Sequence, residues 1–280
     1  MIKIIVDSTA YLDRAYAKEH DITVIPLRVL YREHEFEEGA PGEFDEFFED
    51  FTKTKIFPKT SQPSVELFVE EFNKAIKKGD EVIVFTISSS LSGTYNAACL
   101  AKESCINPSR VTVYDSKNAC QTVAGYVMDT VEMINEGKSV KEIVEHINKI
   151  QNTSKVAFIP DSLEYLAKGG RIGKVTATLG TILQLKPILG FKNGVLGCEK
   201  KSIGMQRAIN DLISSIPEKI KRLFIIHVAN TKFFEMLKQK VTEFLNKRQQ
   251  KVQILISEVG PVVASHVGPA VGLSWTGLEA

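Results

Sequence analysis

Apolar residues run almost unbroken through 2–6 and 82–87, and strand-like runs recur at 111–114 and 155–159. Short apolar runs bounded by polar turns predict strands buried on both faces of a parallel sheet. Between them, apolar positions recur at helical spacing over 65–77, 94–104, 119–136 and 139–152, which predicts amphipathic helices. Asp7-Ser8-Thr9 is placed to cap a helix over 10–19, and 22–25 forms a second short strand. This alternation predicts an α/β fold, a doubly wound parallel sheet with polar loops at the carboxyl ends of its strands. Four such loops, 7–9, 60–64, 88–94 and 115–117, then share the edge at which open α/β sheets bind ligands.

Past Gly137 the pattern becomes mixed. The polar helix over 139–152 leads to the 155–159 strand and to a helix over 162–168 that stops at Gly169-Gly170. A small apolar helix-like run over 174–185 reads as a buried helix or as the wall of a slot for an apolar ligand. Asn193-Gly194 between apolar runs at 188–191 and 195–198 predicts a hairpin with a type I′ turn. Helices over 204–219 and 231–247 then alternate with strands at 223–228 and 252–256. The chain thus divides into an N-terminal α/β domain, 1–153, and a C-terminal mixed α/β domain, 154–280. Phe44, Phe47, Phe48 and Phe51 recur at helical spacing among acidic residues, a stripe that faces a core. An acidic docking face is the alternative.

With 280 residues, 44% of them apolar, the chain can bury sizeable cores, which excludes disorder. A net charge of +1 and a pI near 7.6 exclude a nucleic-acid footprint, which needs a clustered basic surplus. Cys99, Cys105, Cys120 and Cys198 form no C-x-x-C pair and read as free thiols. The N-terminus opens on a strand rather than a signal peptide, and no apolar run approaches the roughly 18 residues of a membrane span. A cytoplasmic protein without metal, cofactor or membrane insertion is expected.

Candidate chemistry lies in the loops. Ser88 to Thr94 joins a strand to a helix, and Thr60-Ser61-Gln62-Pro63-Ser64 precedes another helix that Ser64 N-caps. Such helix starts carry unpaired N–H groups, so the hydroxyls of Thr60, Ser61, Ser92 and Thr94, with the N–H groups of Gly93 and Thr94, suit an anion. Plain helix capping is the other reading. Arg171 follows the glycine pair 169–170 and offers a fork for carboxylate or phosphate, or a partner for a helix terminus. His266, in a Gly/Pro-punctuated turn, either donates to an anion or satisfies a backbone carbonyl. His20, His34, His146 and His227 read as surface or packing residues without metal-ligand spacing. Asp7 and Asp115, at strand ends, cap helices or hold a metal. The chain lacks G-x-S-x-G, S-x-x-K and G-x-x-x-x-G-K-[ST]. A stand-alone hydrolase or phosphotransferase, with Ser92 as nucleophile and His266 as base, is the competing reading to an anion-binding carrier.

Seven segments in order resemble the DegV family, bacterial fatty-acid-binding proteins that include the B subunits of the two-component fatty acid kinase. They are Asp7-Ser8-Thr9-Ala10, residues 60–64, residues 89–95, Asp115-Ser116, residues 162–172, Lys186-Pro187-Ile188-Leu189, and residues 258–269 from Glu258-Val259-Gly260-Pro261 through His266-Val267-Gly268-Pro269. The resemblance implies a two-domain fold holding one long-chain, palmitate-like fatty acid. It implies that Thr60 and Ser92 hold the carboxylate, with His266 and Arg171 close by. A separate ATP-dependent kinase subunit would then phosphorylate that carboxylate, which places the chain in fatty acid metabolism or lipid transport. The chain departs from the family pattern at 199–208, where members often carry an arginine shortly after the hairpin. Here Lys200, Lys201 and Arg207 stand instead.

Overall fold

Four parallel strands, β1 (Ile2–Asp7), β2 (Thr23–Ile25), β6 (Glu81–Thr86) and β7 (Val111–Asp115), form one sheet in the order β2-β1-β6-β7. The computed structural model that shows them describes residues 1–54, 56–172, 185–229 and 231–278. Successive side chains of a strand point to opposite faces, so one apolar run feeds two cores. Ile5 and Val84 pack beneath α3 (Val65–Lys77) and α4 (Thr94–Ser104), together with Phe68 and Phe72. Their neighbours Val6 and Phe85 pack on the other face with Tyr126 and Ile143, from α5 (Gln121–Asn135) and α6 (Val140–Gln151).

The expected helix over 10–19 is shorter. Ser8–Ala10 form a single 3₁₀ turn on the Asp7 cap, and Tyr11 turns left-handed with φ 52°. The helix α1 (Arg14–Glu19) begins only after Asp13, whose carboxylate accepts Tyr16 N–H. Two competing caps, and the burial of residues 8–12, divide the segment.

A three-stranded antiparallel sheet, with no counterpart in the sequence reading, follows in the order β4-β3-β5 from β3 (Arg28–Tyr31), β4 (His34–Glu37) and β5 (Lys59–Ser61). Between β4 and β5 lies α2 (Asp45–Phe51), whose Phe47, Phe48 and Phe51 are buried with Phe44 just before it. The aromatic stripe is core, as its spacing implies.

The remaining strands, β8 (Lys155–Pro160), β9 (Leu185–Lys192), β10 (Val195–Ile203), β11 (Ile220–Val228), β12 (Gln253–Glu258) and β13 (Ala270–Gly277), make a six-stranded mixed sheet. Its order is β10-β9-β8-β13-β11-β12, with only β11 and β12 parallel. Leu223 and Ile225 pack on α8 (Met205–Ser214) and α9 (Thr231–Lys247). The alternate residues Phe224, Ile226 and Val228 face the opposite core, shared with α2, α7 (Glu164–Lys168) and α10 (Pro261–Val267). The central strand β13 escaped the sequence reading. Helix α8 ends at Ser214 rather than 219, since Pro217 disfavours helical geometry just before it. Asn193 and Gly194 have φ 51° and 80°, the left-handed pair of the expected I′ turn, between strands longer than expected. The apolar run at 174–185 lies outside the described residues, except Leu185, which opens β9.

All four cysteines are free thiols. Buried Asp129 of α5 accepts from Arg222 of β11 and from Lys221 at 2.7 Å, tying the parallel-sheet half to the mixed-sheet half. Among the described residues no helix is long and apolar enough to cross a membrane.

Candidate ligand-binding site

At the carboxyl edge of the parallel sheet, the acids tie loops together. Asp7 accepts Thr9 N–H at 3.0 Å and Ile87 N–H at 2.6 Å. Asp115 accepts the N–H and hydroxyl of Ser89 at 3.1 and 2.6 Å, and Lys117 N–H at 3.0 Å. These bonds join three of the four expected loops, and the fourth meets the serine loop where Gln62 packs on Gly93. Among the described residues no group of three His, Cys, Asp or Glu is placed to hold a metal ion. The serine loop is also pinned from the other half of the chain: Ser88 Oγ donates to Gly194 O at the hairpin tip at 2.8 Å, and Ser90 Oγ donates to the same carbonyl.

Beneath this loop a largely apolar cavity opens against the mixed sheet. Its walls are apolar and come from both halves of the chain, including Ile87, Leu91, Phe158, Leu166, Ile226 and Val262. The polar side chains Thr60, Ser92, Arg171 and His266 join this lining. Four of the seven expected site residues thus border one cavity.

Ser61, Gly93 and Thr94 do not line it. Alternation along β5 leaves Ser61 exposed beside Thr60. Thr94 is fully buried, with its hydroxyl 2.8 Å from Ser92 Oγ. Gly93 makes room for Gln62, whose Oε1 lies 1.8 Å from where a Cβ would stand. His227 borders the cavity too, but its strand neighbours Ile226 and Val228 take the cavity-side core while its ring packs on Phe234 at 4.4 Å. Packing, as expected, is its role.

The polar cluster is arranged around one bond, Thr60 Oγ1 to His266 Nε2 at 2.8 Å. Among the described residues the buried His266 Nδ1 has no hydrogen-bond partner. An orphaned acceptor is tolerated better than an orphaned N–H, which assigns the proton to Nε2 and makes Thr60 Oγ1 the acceptor. The threonine hydrogen is then free to point at a ligand. Burial, reinforced by the positive charge of Arg171, pushes the His266 pKa down to about 4, so the ring is neutral at neutral pH. Arg171 supplies the charge: Nη1 donates to Gly169 O at 2.6 Å and Nε to Leu91 O at 3.2 Å. Among the described residues its other N–H groups have no acceptor, which leaves them for an anion. Ser92 Oγ pairs with Thr94 and His266 with Thr60, so no serine–histidine pair is assembled.

Two glycines set the approach of α7 and α10. A Cβ on Gly169 would lie 2.5 Å from His266 Nδ1, and one on Gly268 (φ +67°) would lie 2.3 Å from the Tyr165 ring. Each helix seats an aromatic ring against a glycine that follows the other.

The sequence reading missed Glu38, a buried acid behind the site. Glu38 accepts from Ser8 Oγ at 2.6 Å, Tyr11 OH at 3.2 Å and Val262 N–H at 2.7 Å. Burial raises its pKa to about 7 and that of Asp7 to about 6. Nearby Cys120, a cavity residue, has its thiol pushed up by burial and by these carboxylates. No local signal marks Glu38, which stands in an acidic, loop-like stretch.

Fold and site together define an α/β protein with an apolar cavity bordered by a cationic, hydroxyl-bearing cluster. The chain belongs to the DegV family, whose sequence model, described as uncharacterised proteins, matches residues 1–277. A DegV domain-containing protein of Halalkalibacterium halodurans is 32% identical over 282 residues, covering 98% of each chain. A fatty-acid-binding DegV family protein from Thermus thermophilus superposes with a TM-score of 0.87 at 30% identity, over 99% of both chains. DegV of Bacillus subtilis, described as a fatty acid binding protein, gives 0.85 at 30% identity over 99% of both chains. A stearic acid-binding protein of Eubacterium ventriosum gives 0.86 at 28% identity, over 99% of this chain and 98% of that one.

Proposed function

We propose that this protein binds one long-chain fatty acid, with its carboxylate at Thr60, Ser92, Arg171 and His266 and its tail in the cavity. The observation that carries the reading is that largely apolar cavity, with one guanidinium and a Thr60 hydroxyl oriented by a neutral histidine on its lining. The fatty-acid binding described for family members at 28–30% identity supports it. At about 0.8 kcal/mol per buried methylene, a palmitate-length tail contributes on the order of 10 kcal/mol. Much of that offsets the roughly 4–15 kcal/mol that association costs. The head-group hydrogen bonds fix orientation and compensate desolvation of the carboxylate.

The proposal extends to presentation of the carboxylate to a separate ATP-dependent kinase subunit in the cytoplasm, which would make the acyl phosphate. The absence of a Gly-Lys phosphate loop in the sequence supports a division of labour. Mass spectrometry of protein purified from cells tests the first part. The expected result is a near-stoichiometric C16–C18 fatty acid (a palmitate-length tail and its homologues), whereas empty protein that fails to take up palmitate sinks it. For the second part, acyl phosphate is expected from ATP only when the kinase subunit is added. Acyl phosphate formed by this chain alone overturns it.

A further inference from the structure

Helix α10 carries His266 in its last turn, yet its first turn has no cap of its own. The N-cap is Gly260, without a side-chain hydrogen bond, and Pro261 has no N–H to satisfy. The two free donors that follow are met from the distant N-terminal segment. Val262 N–H donates to Glu38 Oε1 at 2.7 Å, and Val263 N–H donates to Tyr11 OH at 3.2 Å. Glu38 is only 5% exposed and is held in turn by Ser8 Oγ.

The three-stranded sheet therefore grips α10 at both ends. Glu38 directly follows β4 and is fixed by its own N–H to Leu27 O at 2.9 Å, while Thr60 lies on β5, paired with Val29 of β3. One grip anchors the start of the helix and the other is the Thr60–His266 bond of the site. We infer that Glu38, with Tyr11 as its auxiliary, is a positioning residue for fatty acid binding: it caps α10 in trans and thereby sets His266 at hydrogen-bonding distance from Thr60. The inference rests on the proposed fatty-acid site, although neither Glu38 nor Tyr11 lines the cavity.

Two side-chain replacements separate positioning from bulk. Glu38→Gln keeps a carbonyl oxygen for Val262 N–H, whereas Glu38→Leu keeps the approximate volume and removes every acceptor. The readouts are the imidazole ¹⁵N resonances of His266 in ligand-free protein and the dissociation rate of stearate from loaded protein. In Glu38→Leu the Nε2 signal of the Thr60-bonded tautomer is expected to give way to a tautomer mixture, and stearate to leave at least tenfold faster. Glu38→Gln is expected to keep the parent spectrum and a rate within about twofold, the size of a small fraction of one hydrogen bond. Should Glu38→Leu fail to fold, Tyr11→Phe removes the acceptor of Val263 N–H together with the phenol's own bonds to Glu38 and Gly260 O, and is expected to shift the same signals in the same direction. Folded Glu38→Leu with parent resonances and parent stearate release overturns the inference, as does an unshifted Tyr11→Phe where Glu38→Leu does not fold. If the parent binds no stearate, the functional reading fails, and the ligand-free spectra still decide whether Glu38 positions His266.

Discussion

Thr60 shows how much depends on a single hydroxyl. Replacing it by valine keeps the shape but leaves His266 Nε2–H facing a methyl group and takes a donor from the ligand. A hydrogen bond to a charged group contributes about 1.5–3 kcal/mol, so Thr60→Val is expected to weaken palmitate binding by roughly 10–100-fold. Displacement of a fluorescent fatty acid measures this, and unchanged affinity removes Thr60 from the site. At this scale the sequence was only partly legible. Ser92 and Arg171 sit beside glycines, Thr60 precedes a helix start and His266 stands in a Gly/Pro-punctuated stretch, where local pattern points to an anion. Ser61 and Thr94 carry the same chemistry, but strand alternation and the Ser92 pairing take them out of the cavity lining. Glu38 was invisible because its partners Ser8, Tyr11 and Val262 come from two remote segments, and burial among remote residues leaves no local trace.

Helices α7 and α10 form a pair whose spacing is set by what each lacks. Gly268→Ala places a Cβ into the Tyr165 ring and forces a side chain into left-handed backbone at φ +67°. Strain of about 1–3 kcal/mol is expected, which lowers the melting temperature by several degrees in a chain of this size. Thermal unfolding checks it; a variant as stable as the parent means that the two helices can slide without cost. The parallel strands and long helices were legible because each carries its own period. The segments β3, β4 and β5 were not, being three or four residues long, and the pattern of β4 is almost wholly exposed. In β13, Gly272, Ser274 and Thr276 interrupt the apolar run, yet the strand is buried throughout between β8 and β11. Only the register of the whole sheet makes a strand of it.

At the scale of the molecule, two buried carboxylates among the described residues have raised pKa values. Burial is the main cause for both, lifting Asp7 from 3.8 to about 6 and Glu38 from 4.5 to about 7. The native state therefore holds protons that the unfolded chain releases first, so this pair contributes stability at low pH that is lost as pH rises through about 4–7. Tyr11 and Cys120, which also face Glu38, stay protonated across that window, because burial raises both. Glu38→Gln removes its share of the effect. Its melting temperature relative to the parent is expected to rise between pH 5 and pH 8 (on either side of the Glu38 pKa), by chemical or thermal unfolding at each pH. A difference independent of pH means that Glu38 titrates normally. The cavity has a consequence of another kind, for the lifetime of each copy in a cell. Its walls include Phe158, Leu166 and Ile226, which belong to the core between the mixed sheet and α10. Cargo at 100 times its Kd adds about 2.7 kcal/mol to the folded state, and copies without it unfold more often and meet proteases more often. Such a carrier would keep its own stock in step with supply. In cells starved of fatty acid its half-life is expected to shorten several-fold in a pulse-chase measurement, and feeding palmitate is expected to restore it.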